Sequence, residues 1–212
     1  MFRNRVDAGR RLAQVVQAAG LGADRTVVLG LPRGGVPVAT EVGLALGAPL
    51  DVIVVRKLGV PSQPELAMGA IGEDGVRVEN EETIGSSAIS AVDFEAIERR
   101  ERGELDRRAL RYREGRPRLD LDERCAVIVD DGIATGSTAR AACRVAQAHG
   151  ASRIVLAVPV APAATVPALQ DVCDDLLCVA TPDPFFAVGE WYRDFTPTSD
   201  EEVNELLRRA QL

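Results

Sequence analysis

Aromatic side chains are scarce in this 212-residue chain, which has five Phe, two Tyr and one Trp, 4% of the whole. A core or interface built mainly on ring stacking is therefore not expected, and any local concentration of rings stands out. There is one histidine, His149, and the four cysteines, Cys125, Cys143, Cys173 and Cys178, contain no CxxC pair. That set lacks the ligand spacing of a structural metal site, and thiols within apolar runs read as reduced core residues. Positive charge is in deficit, with 25 Lys and Arg against 32 Asp and Glu and a net charge of −7. No basic stripe suited to nucleic acid is expected. Long apolar runs are missing as well. Nothing approaches the roughly 18–20 residues that span a bilayer, and Met1-Phe2-Arg3-Asn4-Arg5 leads directly into a polar helix pattern. The expectation is a cytoplasmic protein with neither nucleic-acid nor membrane partners.

A hydrophobic content of 46% with 27% charged residues is ordinary for a globular protein. The length suits one domain over residues 1–212 with a substantial core. Ala8, Leu12, Val15, Val16 and Ala19 recur at helical spacing and predict a helix over 5–19, stopped by Gly20 and Gly22. A strand at 26–31, a helix at 36–46 and a continuous apolar run at 50–55 follow. Over 57–82, Gly and Pro punctuate short apolar stretches, and Glu73-Asp74-Gly75 has the composition of a hairpin turn. This stretch reads as a mobile loop followed by a small β-ribbon. The segment 91–116 is a charged helical insertion whose Phe94, Ile97, Leu105 and Tyr112 form only a thin apolar stripe. Strands at 125–129, 153–159 and 175–179 then alternate with helices at 137–149 and 162–173. The fold class is thus α/β, a parallel sheet with helices on both faces, plus the loop and ribbon and a C-terminal hood or lid at 180–200. In such sheets ligands sit beyond the carboxyl ends of the strands, where 32–35, 56–57 and 130–138 all fall.

The most informative of these is Val127-Ile128-Val129-Asp130-Asp131-Gly132-Ile133-Ala134-Thr135-Gly136-Ser137-Thr138-Ala139. An apolar strand ending in two carboxylates is costly unless something binds them. Ala134, Thr135, Gly136, Ser137 and Thr138 then open a helix with free amides and hydroxyls, which suits a phosphate monoester. Carboxylates only accept hydrogen bonds, so the acidic pair suits a sugar diol. Together they describe a ribose 5-phosphate site. No Gly-Lys-[Ser/Thr] of a Walker loop and no G-x-G-x-x-G is present.

This segment resembles the phosphoribosyl pyrophosphate signature of the type I phosphoribosyltransferases, and Arg33 through Arg56-Lys57-Leu58-Gly59-Val60-Pro61 looks like the corresponding region of the adenine-type members. The resemblance implies a Rossmann-like type I core, phosphoribosyl pyrophosphate and a small-molecule acceptor as partners, Mg²⁺ as cofactor and a homodimer. It makes Arg56, Lys57, Asp130 and Asp131 the candidate catalytic residues, the two aspartates reaching Mg²⁺ directly or through water. It assigns Arg33, Gly34 and Gly35 to pyrophosphate. A loop within 58–66, with Gly59, Pro61 and Pro64 as hinge and stiffening elements, would close over the substrate. Five of the eight rings lie between Phe185 and Phe195, so Phe185, Phe186 and Trp191 are candidates to stack on an acceptor base in the hood.

One departure matters. Family members that salvage 6-oxopurines usually carry an Asp just before Thr-Gly, and this chain has Ala134. That argues against hypoxanthine and guanine; Glu65, Glu190 or Asp194 could supply a carboxylate, but spacing singles out none. The implied activity is transfer of ribose 5-phosphate to a nucleobase or related nitrogen nucleophile in nucleotide salvage. The alternative is a non-catalytic regulator that binds phosphoribosyl pyrophosphate or a nucleotide on the same fold.

Overall fold

The computed structural model describes residues 1–87 and 89–210, save the side chains of Pro64 and Glu65. Its centre is a five-stranded sheet in the order β2-β1-β6-β7-β8, parallel throughout. The strands are β1 (Thr26–Gly30), β2 (Leu50–Val52), β6 (Cys125–Val129), β7 (Arg153–Val160) and β8 (Asp175–Ala180). Period-two alternation sends Val28, Val127, Val129 and Val155 to one face and Val27, Ile128, Ile154 and Leu156 to the other. Both faces are covered, which is why these strands read as unbroken apolar runs.

Helices α1 (Arg5–Ala18) and α2 (Gly35–Leu46) cover the first face, and α5 (Ser137–Ala148) covers the second. Asn4 caps α1 by accepting from the Asp7 amide at 3.0 Å, and Ala8, Leu12 and Val16 form its buried stripe. Gly47, at φ 64°, ends α2. These elements follow the pattern read from the sequence to within a residue or two.

Between β2 and β6 lies a second, antiparallel sheet of β3 (Arg56–Val60), β4 (Gln63–Ile71) and β5 (Arg77–Glu79). The expected ribbon is present, and Asp74 and Gly75 both have positive φ at its turn. The expected closing loop over 58–66 is not a loop. It forms the β3–β4 hairpin, whose arms pair from Arg56 with Ile71 to Val60 with Gln63, and Leu58, Val60, Met68 and Ile71 from them enter the first-face core. The intervening Gly and Pro disguise these strands in sequence.

Two further differences have local causes. The helix expected over 162–173 is replaced by turns and a single 3-10 turn at Pro167–Leu169, since Pro167 would break any helix begun at Pro162. After the hood, α6 (Asp200–Arg209) continues the chain, capped by Ser199, whose hydroxyl accepts from the Glu202 amide at 3.1 Å. Its Val203 and Leu207 join the first-face core.

The charged insertion is the long α4 (Ala91–Arg113), preceded by a short α3 (Glu81–Ser87) that the sequence reading did not include. Phe94, Leu105 and Tyr112 bury the thin stripe as expected. The C-terminal end of α4 is tied down by Arg113. Its Nε donates to Asp51 at 3.0 Å, its Nη2 to the Val52 carbonyl at 2.7 Å, and its Nη1 to Glu73 in the ribbon turn. The Arg113 and Asp51 side chains are only 6% and 7% exposed. Burial raises the Glu73 carboxyl above its usual range despite the neighbouring guanidinium. Removing one partner of a buried pair strands the others. Arg113→Met is therefore expected to lower stability by about 3–5 kcal/mol, read from the urea midpoint; a loss below about 1 kcal/mol would mean that this tie is not what holds α4.

Candidate functional site

Because β1 and β6 are parallel neighbours, with Gly30 paired to Val129, the loops that leave them lie side by side on one rim. The Leu31 amide donates to the Val129 carbonyl at 2.8 Å, and the chain then turns through Pro32–Gly35 directly over the acidic pair. A Cβ on Gly34 would lie 2.0 Å from Asp131 Oδ2, and one on Gly35 would lie 2.5 Å from the Val129 carbonyl oxygen and 2.9 Å from Asp130 Cα. A side chain at Gly35 would require this loop to move, and one at Gly34 would displace the Asp131 carboxylate. The Pro32–Arg33 peptide bond is cis, a feature that sequence alone does not reveal.

The two carboxylates are not equivalent. Asp131 Oδ2 accepts from Arg5 Nε at 2.8 Å, while the same guanidinium donates to the Thr196 carbonyl at 2.7 Å and stacks 4.1 Å from the Phe195 ring centre. Tyr192 Oη donates to the Asp131 carbonyl at 2.5 Å. Asp130 Oδ1 accepts from the Asp131 amide at 2.9 Å, and no side-chain donor reaches its carboxylate among the described residues. Burial first, and the Asp131 charge second, push the Asp130 carboxyl well above its usual range. Burial also raises Asp131, with Arg5 opposing.

Six residues further on, Gly136 at φ 77° begins α5, and its neighbours present Thr135 and Thr138 to solvent. Thr135 Oγ1 and Ser137 Oγ lie 3.2 Å apart, and the Ala134 carbonyl accepts from Thr165 at 3.1 Å. A Gly132 Cβ would lie 2.5 Å from Val188, so the hood packs on this loop from above.

The basic residues are placed differently from one another. Arg33 points toward the C-terminal half of α4, with Nη1 3.9 Å from Asp200 Oδ1. Arg56 heads β3 and donates from Nε to Glu101 of α4 at 2.9 Å, so its guanidinium is engaged there. Lys57 follows it in the strand, paired with Ala70. Of the hood rings, Phe186 is 78% exposed, while Phe185 and Trp191 pack partly against Phe2, Val160 and Tyr192. Asp194 accepts from the Thr196 amide and hydroxyl as a turn residue, Glu190 is exposed, and the Glu65 and Pro64 side chains lie outside the described residues. Sequence reasoning missed Arg5, Val188, Tyr192 and Phe195 as site residues. The last three fall in the ring-rich hood segment, but nothing in the sequence pattern marks Arg5.

A parallel α/β domain with a glycine loop folded onto an acidic pair, beside a Thr-Gly-Ser-Thr helix start, defines a narrow class. The family model described as a phosphoribosyl transferase domain matches residues 2–193, and the chain belongs to that family. Two proteins of Mycobacterium tuberculosis, from strains CDC 1551 / Oshkosh and ATCC 25618 / H37Rv, provisionally named phosphoribosyl transferases, are 59% identical over 210 residues, 99% of this chain. The chain spans about half, 47%, of the length of these curated relatives. The crystal structure of TT1426 from Thermus thermophilus matches with a TM-score of 0.91 at 42% identity, covering 99% of this chain and 98% of that one. The type I phosphoribosyltransferase resemblance and the α/β fold class drawn from the sequence both hold. Among the described residues, no helix is long and apolar enough to cross a membrane.

The electrostatics of the acidic pair give a direct test. A carboxyl whose folded pKa lies above its unfolded value contributes its full stability below the unfolded value, and that stability is lost as pH rises through the folded one. For Asp130 the loss begins above its ordinary value of 3.8. Asp130→Asn, which cannot ionise, is expected to match the wild type in thermal denaturation near pH 4 and to exceed it increasingly toward pH 7. Equal melting temperatures across that range would show that the Asp130 charge carries no cost.

Proposed function

We propose that the protein transfers ribose 5-phosphate from phosphoribosyl pyrophosphate to a nucleobase or related nitrogen nucleophile, releasing pyrophosphate. The observation that supports this reading is the packing of Gly34 and Gly35 onto the acidic pair, which brings the glycine loop, the two carboxylates and the Thr-Gly-Ser-Thr helix start to one rim. Asp130, to which no side chain among the described residues donates, accepts from the ribose hydroxyls. Asp131, held by Arg5 and Tyr192, keeps the pair in position. The amides and hydroxyls of 134–138 hold the 5-phosphate. Arg33 and the 33–35 backbone hold the leaving diphosphate. Departure of that group leaves positive charge on the sugar ring, which the Asp130 carboxylate faces.

No group of three His, Cys, Asp or Glu that could hold a metal occurs among the described residues. The adjacent pair instead suits Mg²⁺ carried in on a diphosphate and keeping most of its water, with Asp130 and Asp131 as outer holders. Bound there, the cation would neutralise charge on the leaving group. Arg56 and Lys57 form a second basic wall in β3, from which the diphosphate is reached only if Arg56 exchanges Glu101 for it. Phe185, Phe186 and Trp191 are the rings available to an acceptor base, with Phe186 the most accessible. Ala134 steers the acceptor away from 6-oxopurines.

With Mg²⁺ and phosphoribosyl pyrophosphate, a panel of bases and amines is expected to yield at least one that releases pyrophosphate, with hypoxanthine and guanine inactive. Asp130→Ala combined with Asp131→Ala is expected to abolish donor binding by calorimetry while the circular dichroism spectrum is retained. Donor binding without release by any acceptor would instead identify a non-catalytic regulator.

A further inference from the structure

The α4 insertion has no counterpart among the segments that suggested the family, yet its C-terminal half forms one wall of a cleft at the pyrophosphate loop. The cleft has a volume of ≈ 480 Å³, with Pro32 and Arg33 on one side and Arg107, Arg108, Arg111 and Asp200 on the other. Arg107 and Arg111 are four apart and Arg108 and Arg111 three apart, so the three guanidiniums share a single face of α4. In a protein of net charge −7, four arginines and one aspartate line this one recess.

The partners of these arginines show how the cluster is held. Arg111 Nη1 lies 2.7 Å from Asp200 Oδ2 and its Nη2 donates to Glu201 at 3.2 Å, while Tyr112 Oη donates to Asp200 Oδ1 at 2.9 Å. Arg107 Nη2 and Arg108 Nε both donate to Glu104 Oε1, at 2.8 and 2.6 Å. One carboxylate therefore serves two guanidiniums, and among the described residues Arg33, across the cleft, has only the 3.9 Å approach to Asp200. The arginines are aligned, and among the described residues their donors are not saturated. The walls offer almost no apolar surface, so the recess suits a compact polyanion rather than a base or an acyl chain. Its position is fixed by the chain. Arg33 lines the cleft, and its neighbour Gly34 rests on Asp131, so the cleft borders the same loop that lies on the acidic pair.

We propose that Arg107, Arg108 and Arg111 of α4, together with Arg33, form a diphosphate subsite that grips the diphosphate of the donor and of the released product. This rests on the donor reading above. Planar guanidiniums that converge from two walls match the oxygens of a diphosphate bidentately. The insertion would thus supply the cationic wall that Arg56, paired to Glu101, does not present.

Calorimetry with inorganic pyrophosphate plus Mg²⁺, with phosphoribosyl pyrophosphate plus Mg²⁺, and with ribose 5-phosphate tests this on two variants of the full chain. Arg107→Gln combined with Arg108→Gln is expected to weaken both diphosphate ligands about tenfold or more and to leave ribose 5-phosphate unchanged. Glu104→Gln, which frees both arginines, is expected to tighten the same two ligands, an outcome that misfolding would not produce. Unchanged diphosphate binding in both variants would overturn the subsite. So would pyrophosphate that depends on the arginines yet fails to displace the donor, which would make the cleft a separate effector site. Wild-type protein that binds inorganic pyrophosphate but neither sugar phosphate would instead sink the donor reading itself.

Discussion

Everything at the rim depends on two residues having no side chain. Gly34 and Gly35 let the backbone after β1 lie on the backbone and carboxylates after β6, at separations where even a methyl group would collide with Asp131 or with the Val129 carbonyl. That contact requires β1 and β6 to be adjacent and parallel, and requires α2 and α5 to begin where they do. The cost of gathering Asp130 and Asp131 in such a confined place is visible in their raised pKa values. Arg5 and Tyr192 offset part of it on one side only. The outcome is one tethered carboxylate and one available carboxylate, an asymmetry that the paired letters in the sequence conceal.

The insertion obeys a different constraint. A helix as charged as α4 buries too little apolar surface to fix its own position. The Arg113 tie to Asp51, Val52 and Glu73 anchors its last turn to the main sheet and to the ribbon together. Just before it in the chain, Tyr112 and Arg111 lean on Asp200 at the start of α6. An interior ion network and a C-terminal helix thus aim a surface row of arginines at the loop beside the acidic pair.

Much of this was legible beforehand, for identifiable reasons. β1, β6 and β7 are buried on both faces and so appear as apolar runs between turn residues, and β8 keeps an apolar run although it is only half-buried at the sheet edge. The Asp130–Thr138 signature is contiguous and needs no tertiary information. What escaped was of three kinds. Gly59, Pro61 and Pro64 punctuate β3, the turn and the start of β4, so a hairpin resembled a loop. The 162–173 segment has helical composition, but Pro167 lies within it and only a 3-10 turn survives. Arg5, finally, lies 126 positions from Asp131, and a pairing over that distance leaves no local trace. α6 did leave one, in Ser199 followed three residues later by Glu202, just ahead of Val203.

The strand order also states a timetable. β1 is made early, but its partner β6 comes only after the whole antiparallel ribbon and α4 have been synthesised, and β8 and the hood come later still. Phe2 bridges to Tyr192, and Arg5 waits for Asp131 and Thr196. Contacts of such long sequence separation fold slowly and leave strand edges unpaired in the interim. The nascent chain therefore carries an unpaired β1 edge while the ribbon and α4 are made, and the acidic pair gains its last restraints only when the hood has emerged from the ribosome.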